Sequence, residues 1–453
     1  MNTNLTKTER KAINALASII SLRMLGLFMI LPVFSLYAEH LDHVTPFLVG
    51  VAIGIYGLTQ ALFQIPFGLL SDRVGRKPII TIGLIIFAIG SVIAAMSDSI
   101  YGVILGRALQ GSGAITAALM AFTADLTREE HRTKAMATIG ATIGMSFVFS
   151  FVLGPVLNTW IGVQGIFWVI AVLAIVGIFI LHVVVPQAHS CRFHRDTEPV
   201  PAQFKDILAN MELMRLNIGI LILHSILTSL FIVLPFVIHK MTTQHWQIYL
   251  PVIILAILTM IPLIIYAEKY RHLKLVFVGA VITLGLSQLG LGYFHSEFTL
   301  LVIFLYLFFV AFNVLEASLP SLVSKIAPPQ NKGTAMGVYS SSQFMGAFFG
   351  GIAGGWLYHH YDIQAVFLFS GFLTLIWMGL AWTMQQPSYL ASHMLNVGEV
   401  NQHQAQQLTQ KLMQIPGVAE VVVFIEDGVA YLKVDKKAVD FTMLEEFSVP
   451  EQA

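Results

Sequence analysis

The sequence predicts an all-α membrane protein of twelve transmembrane helices in two six-helix bundles, with a small α+β domain at the carboxyl end. Three observations carry this reading. Of 453 residues, 56% are hydrophobic and only 11% charged, against roughly 25% charged in soluble domains. About 254 apolar residues, at ~20 per bilayer crossing, fill about a dozen helices. Lys and Arg recur between the apolar runs, and after Gln386-Pro387 the composition turns polar. A soluble globular enzyme is excluded. The balance of 25 basic and 25 acidic residues argues against a nucleic-acid partner. One cysteine, Cys191, rules out an internal disulfide framework and any CxxC metal or redox site.

In chain order the first six apolar runs are Ala12–Leu36, Phe47–Leu70, Ile79–Met96, Tyr101–Ala124, Ala135–Asn158 and Val163–Val185. The second six are Leu216–Ile238, Trp246–Ala267, Leu275–Phe294, Phe298–Val323, Ala335–Trp356 and Ala365–Met384. Backbone groups in lipid must bond internally, and no ten-residue alternation marks a barrel, so these runs are helices. The first is too long for a signal peptide, carries Arg23 at its centre and lacks a small-x-small cleavage site.

Orientation follows from the basic residues. With the amino terminus placed in the cytoplasm, 22 of the 25 Lys and Arg fall inside. Lys240 alone falls outside, and Arg23 and Arg107 lie within helices. Both termini are therefore expected in the cytoplasm. The connection from Pro186 to Arg215 divides the chain into bundles at 1–186 and 216–386, a linker at 187–215 and a terminal domain at 387–453. A weak repeat at an offset of 200 supports the division: Arg132-Thr-Lys-Ala-Met136 matches Lys332-Gly-Thr-Ala-Met336, and Gly154 matches Gly354. Parallel six-helix repeats are a transporter architecture with its binding site near the midplane.

Between helices two and three the chain reads Gly68-Leu-Leu-Ser-Asp72-Arg73-Val-Gly75-Arg76-Lys77-Pro78. Gly75 allows a tight turn and Pro78 suits a helix start. This string resembles the loop signature of the major facilitator superfamily. Arg107-Ala-Leu-Gln110-Gly111 in helix four is similar to that family's Arg-x-x-Gln-Gly motif. Gly154-Pro155 in helix five resembles the core of the motif of its drug–proton antiporter branch, with Ser150 and Asn158-Thr159 where glycines stand in that motif. The resemblance implies a cavity lined by helices 1, 4, 7 and 10. It also implies that Asp72 sits at the amino end of helix eleven, where the dipole favours it. Arg73, Arg76 and Asp125 would form a charge network that breaks as the halves rock.

Glu316 is the acid that falls inside a predicted helix. Intramembrane charges are costly and face a cavity or protein interior. Burial favours a neutral carboxyl and a neighbouring cation favours the carboxylate, so such a group changes protonation as water access alternates. His224 lies about 12 Å from the inner end of helix seven and Glu316 about 10 Å from that of helix ten. Equal depth makes them a candidate proton-sensitive pair, the bland alternative being two packed, hydrogen-bonded side chains. Arg23 is a candidate to hold an anionic substrate group, to counterbalance Glu316 or to bridge helices. Arg107 is a candidate for proton transfer or for helix packing.

In the tail, His393–Val397 reads as a strand and Gln402–Ile415 as a helix capped by Asn401. Val418–Ile425 and Val429–Val434 read as a hairpin through Asp427-Gly428. Val439–Phe447 reads as a second helix, leaving Ser448 to Ala453 for a last strand. The order βαββα points to a ferredoxin-like domain with a short or missing final strand, either a regulatory or dimerising module or a stabilising cap on the cytoplasmic mouth.

The expected function is proton-coupled secondary transport of a small molecule across a bacterial inner membrane by a monomeric unit, as an efflux antiporter. The alternatives are an uptake symporter for a sugar or organic anion, and a transporter-like sensor. No Walker string and no nucleophile–base set is present, so neither ATP-driven pumping nor enzymatic chemistry is expected. No metal or cofactor is implied; the partners are the substrate, protons and lipid.

Overall fold

A computed structural model describes residues 5–187, 203–328, 331–385, 390–398, 400–425, 428–435 and 438–448. The chain opens on α1 (Lys7–Met29), started by a reciprocal capping box between Thr6 and Glu9. The expected first helix breaks at Ile30 and resumes as α2 (Leu31–Ala38). Pro32 lacks the N–H that would continue the ladder. The next helix, α3 (Pro46–Val74), begins with Pro46 at its first position and Thr45 accepting from the Leu48 N–H. Gly75 then turns the chain at φ 109° into α4 (Arg76–Ala95).

Helix four also differs from its expected continuous run. It is split into α5 (Ile100–Ser112) and α6 (Thr116–Asp125). At the break a Cβ on Gly113 would lie 2.3 Å from the Gly83 carbonyl of α4. Close backbone contact, and not apolar content, sets the conformation there.

The longest helical stretch, α7 (Glu129–Val183), turns back on itself at Gly162, whose φ of 67° suits glycine. Its two ends reach one face: Glu9 accepts from Arg128 at the start, and Lys77 donates to the Val185 carbonyl beyond the end at 2.7 Å. That face carries Arg76, Lys77, Arg128, Lys269 and Arg271 and is called the basic face below.

A short α8 (Phe204–Ala209) leads into α9 (Met211–His239), which starts five residues before the expected Leu216 because Asn210 caps it. There follow α10 (Trp246–Lys269), α11 (Leu273–Phe294), α12 (Phe298–Ile326), α13 (Lys332–His360) and α14 (Ile363–Trp382). Ten helical stretches among the described residues are long and apolar enough to cross a membrane. That number counts α1–α2 and α5–α6 as one each and both limbs of α7 as one. It omits α13, which has the length but is rich in glycine and serine.

One core runs through α1–α7 and α9–α14. The two groups meet most closely where α3 lies on α13. A Cβ on Gly50 would lie 2.1 Å from the Gly351 carbonyl, and one on Gly351 2.5 Å from the Gly50 carbonyl. Further along, Gln64 donates to Ser341 at 3.0 Å. Elsewhere the groups are joined by Ser35 donating to the Phe231 carbonyl at 2.9 Å and by Phe151 against Phe231.

The tail forms β1 (Ala391–Asn396), α15 (Gln402–Met413), β2 (Val418–Phe424), β3 (Val429–Val434) and α16 (Phe441–Glu445). The sheet order is β1-β3-β2, antiparallel throughout, with a bulge between Val418 and Glu420. The predicted helix at the end shrinks to five residues, and residues 449–453 lie outside the described ones, as does Asp427 of the hairpin. Leu395, Leu412, Ala430, Leu432 and Leu444 form its separate core. It meets the helical part through Arg271, which donates to both carboxylate oxygens of Asp435 at 2.8 Å.

Two substitutions separate packed from open glycines. Gly351→Val should lower stability by ~1–3 kcal/mol, since the backbone of α3 has nowhere to go. Gly144→Val, with nothing within 4 Å of its Cβ, should stay within ~0.5 kcal/mol. Thermal unfolding in detergent reads both; equal losses would contradict the packing.

Candidate functional site: a carboxyl–imidazole–amide cluster

Glu316 projects from α12, His224 from α9 and Gln343 from α13, and the three meet. His224 Nε2 lies 3.1 Å from Glu316 Oε2, and the Gln343 amide nitrogen lies 2.8 Å from the same imidazole nitrogen and 3.0 Å from Glu316 Oε1. His224 sits 13 residues into α9, about 20 Å along it, and Glu316 ten residues from the end of α12, about 15 Å. Both helices extend beyond their apolar runs, so these distances to the helix ends exceed the sequence-based ones.

Gln343 Nε2 carries two hydrogens and can donate to both of its contacts. On the His224–Glu316 edge the imidazole accepts or donates according to its tautomer, so the two side chains share one hydrogen across 3.1 Å.

The Glu316 side chain is 36% exposed although it lies well inside α12, while His224 is 10% exposed. One turn towards the face opposite the basic one, Phe312 stacks on Phe147 at 5.4 Å, and Phe151 packs on Phe231 and Phe309. These rings form an aromatic layer shared by α7, α9 and α12. Towards the basic face, Gly140 and Gly144 of α7 have open space beside them.

The two arginines lie elsewhere. Arg23 is 2% exposed and donates to Thr116 and Gln60, with its guanidinium 5.7 Å from the Phe87 ring centre. Its Nε has no partner among the described residues. Arg107 is 1% exposed, donates to Gln110 at 2.9 Å and lies 4.9 Å over the Tyr56 ring. Gln110 in turn donates to Ser91 at 2.8 Å. All these partners belong to α1–α6, so neither arginine reaches Glu316. Gly111 lets α5 approach α3, a Cβ there falling 2.3 Å from the Tyr56 carbonyl. Gly154 does the same for α7 against α1, 2.4 Å from the Met29 carbonyl, and Pro155 follows it at the wall of a surface cavity.

At the basic face Arg76 is the hub. It donates to Asp125 at 2.8 Å, to Ser71 at 2.8 Å and to Asp72. Asp125 is fully buried and Asp72 partly so. Ser71 also donates to the Gly68 carbonyl at 2.6 Å. Arg73, expected in this network, is exposed and has no ion pair among the described residues. It follows Asp72 in the last turn of the same helix. Lys77 instead caps the end of α7.

Sequence reasoning missed Gln343, Gln60 and Thr116. Their signal was polarity in the middle of apolar helices, shared with many side chains that only bond to their own backbone. No group of three or more His, Cys, Asp or Glu among the described residues could hold a metal ion.

Comparison with known proteins agrees with this fold. The model of the Major Facilitator Superfamily matches residues 16–272 and 242–393. The inner membrane transport protein YajR of Escherichia coli is 46% identical over 436 residues, covering 96% of each chain. The multidrug resistance protein MdtH of Aeromonas salmonicida is 24% identical over 75% of this chain and 86% of its own. Among solved structures, a bacterial homolog of the human lysosomal transporter Spinster, in an inward-facing and occupied conformation, matches with a TM-score of 0.69 at 13% identity, over 85% of this chain and 98% of its own. A family model spanning nearly all of the helical part, and a relative so similar over its full length, place the chain in the major facilitator superfamily of membrane transporters.

Proposed function

We propose that this transporter is proton-coupled, that it exports its substrate in exchange for protons, and that Glu316 carries the proton. One observation carries the reading: a partly exposed carboxyl group well inside α12, hydrogen-bonded to an imidazole on α9 and to an amide on α13. A proton taken from outside and released inside breaks and remakes this cluster, which ties α9, α12 and α13 together. Coupling needs such a differential contact between the two states.

The count of twelve crossings follows once α7 is read as two and α13 is included. Both termini and the basic face are then cytoplasmic by the positive-inside rule, and the close α3–α13 packing and the Ser35–Phe231 bond, which join the groups towards the opposite face, support reading this as an inward-facing state. Export is supported by Gly154-Pro155 and by the likeness to MdtH. The uptake reading leaned on Arg23 and Arg107 as anion ligands, and both are sealed among neutral partners of α1–α6. The tail is proposed as a ferredoxin-like regulatory module, docked through Arg271 and Asp435.

Glu316→Gln should cut substrate-driven proton flux in proteoliposomes at least ~10-fold while leaving substrate counterflow intact. A pH profile identical to the parent would overturn the assignment. Asp72→Asn should slow transport with normal membrane insertion. Asp125→Asn should cost about 3 kcal/mol of stability, because it leaves the buried Arg76 short of a charge partner; thermal melting separates the two, and an unchanged melting point for Asp125→Asn would count against the hub.

A further inference from the structure

A cavity of about 340 Å³ opens on the face opposite the basic one, between the two helix groups. One wall is Tyr37 of α2 and His40 just beyond that helix, with Asn158 and Gln164 of α7; the other is His239 and His245. His245 caps the start of α10, outside the spanning helices. It is 6% exposed, and its Nε2 has no hydrogen-bond partner among the described residues. The His239 ring stands edge-on to it at 5.6 Å.

We propose that His245 is an acid-released latch on this face: kept neutral and covered while the face is shut, it takes up a proton when the two walls part and holds them apart. The walls belong to the two groups that an alternating transporter must separate, so opening this face uncovers the imidazole. No carboxylate lines the cavity. The groups facing His245 are Tyr37 from α2, His40 just after that helix, the amides Asn158 and Gln164 from α7, and His239 from α9. The Glu39 carboxylate lines a separate cavity beyond α2. A cationic His245 in the shut state would meet a second imidazole and no counter-charge.

Burial first, and the neighbouring His239 second, hold the His245 imidazole down at about 4, against an ordinary value near 6.5. A lowered value means that the shut state binds the proton less well. Its advantage is complete above about pH 6.5 and is lost as pH falls towards 4. At pH 5 the ratio of open to shut molecules should exceed that at pH 8 about 30-fold, if the uncovered ring titrates normally.

This inference rests on the alternating-access reading but not on the proton site at Glu316, and the two fail separately. Spin labels at Tyr101→Cys and Glu297→Cys, in a Cys191→Ser background, report the separation of the groups on this face by pulsed electron–electron distance measurement in nanodiscs. The expected result is a longer-distance population that grows on going from pH 8 to pH 5. In both His245→Gln and His245→Phe that response should shrink below threefold, while in Glu316→Gln it should persist. No pH response in the labelled parent overturns the latch. So does a response that survives both His245 substitutions, or one that disappears in Glu316→Gln alone.

Discussion

Inside hydrocarbon an ionisable side chain has no water to turn to, and each such group in this bundle has been given a partner or a covering. Arg107 is bonded to Gln110 and covered by Tyr56; Arg23 is held by Gln60 and Thr116 beneath Phe87. Glu316 is held by His224 and Gln343. The same constraint yields two kinds of charge. The arginines are constant in protonation and sealed, so they stiffen the first group of helices. The carboxyl is titratable and half-open, so its state depends on which side admits water.

The surroundings of that carboxyl explain how a local event reaches the whole molecule. Its three residues come from α9, α12 and α13, and α13 is also the helix packed backbone-to-backbone on α3. Glycines at that contact remove the side chains that would otherwise hold the groups apart, so a change at Gln343 is felt across a seam with little slack. At the basic face, Arg76 ties Asp72 of α3 to Asp125 of α6, and Lys77 ties α4 to the end of α7. These bonds lie within the first group, which is consistent with its moving as a rigid body.

Polar chemistry is distributed unevenly between the two faces. The basic face carries arginines, lysines and the docked tail, whereas the opposite face carries histidines beside two cavities divided by α2. The short α2 stands apart from α1 because Pro32 interrupts the ladder, and Ser35 holds it to Phe231 of the second group. A wedge of eight residues, bonded to one group and continuous with the other, is a natural place for the opposite face to yield.

The membrane class, the positions of nearly all the helices and the tail's strand order were legible in the sequence, because apolar length, basic clustering and turn residues are local properties. The depth argument brought Glu316 and His224 together for the same reason: helical rise is regular, so counting residues estimates distance. Tertiary contact decided the rest. Gln343 looks like any polar residue until α13 lies beside α9 and α12. Arg23 and Arg107 read as cavity residues until Gln60, Thr116, Gln110 and Tyr56 close around them. Helix four breaks because Gly113 presses on Gly83, a contact between residues 30 positions apart. Periodicity says which residues lie in lipid-crossing helices; which face of each helix meets which neighbour depends on packing between distant segments, and no local pattern encodes it.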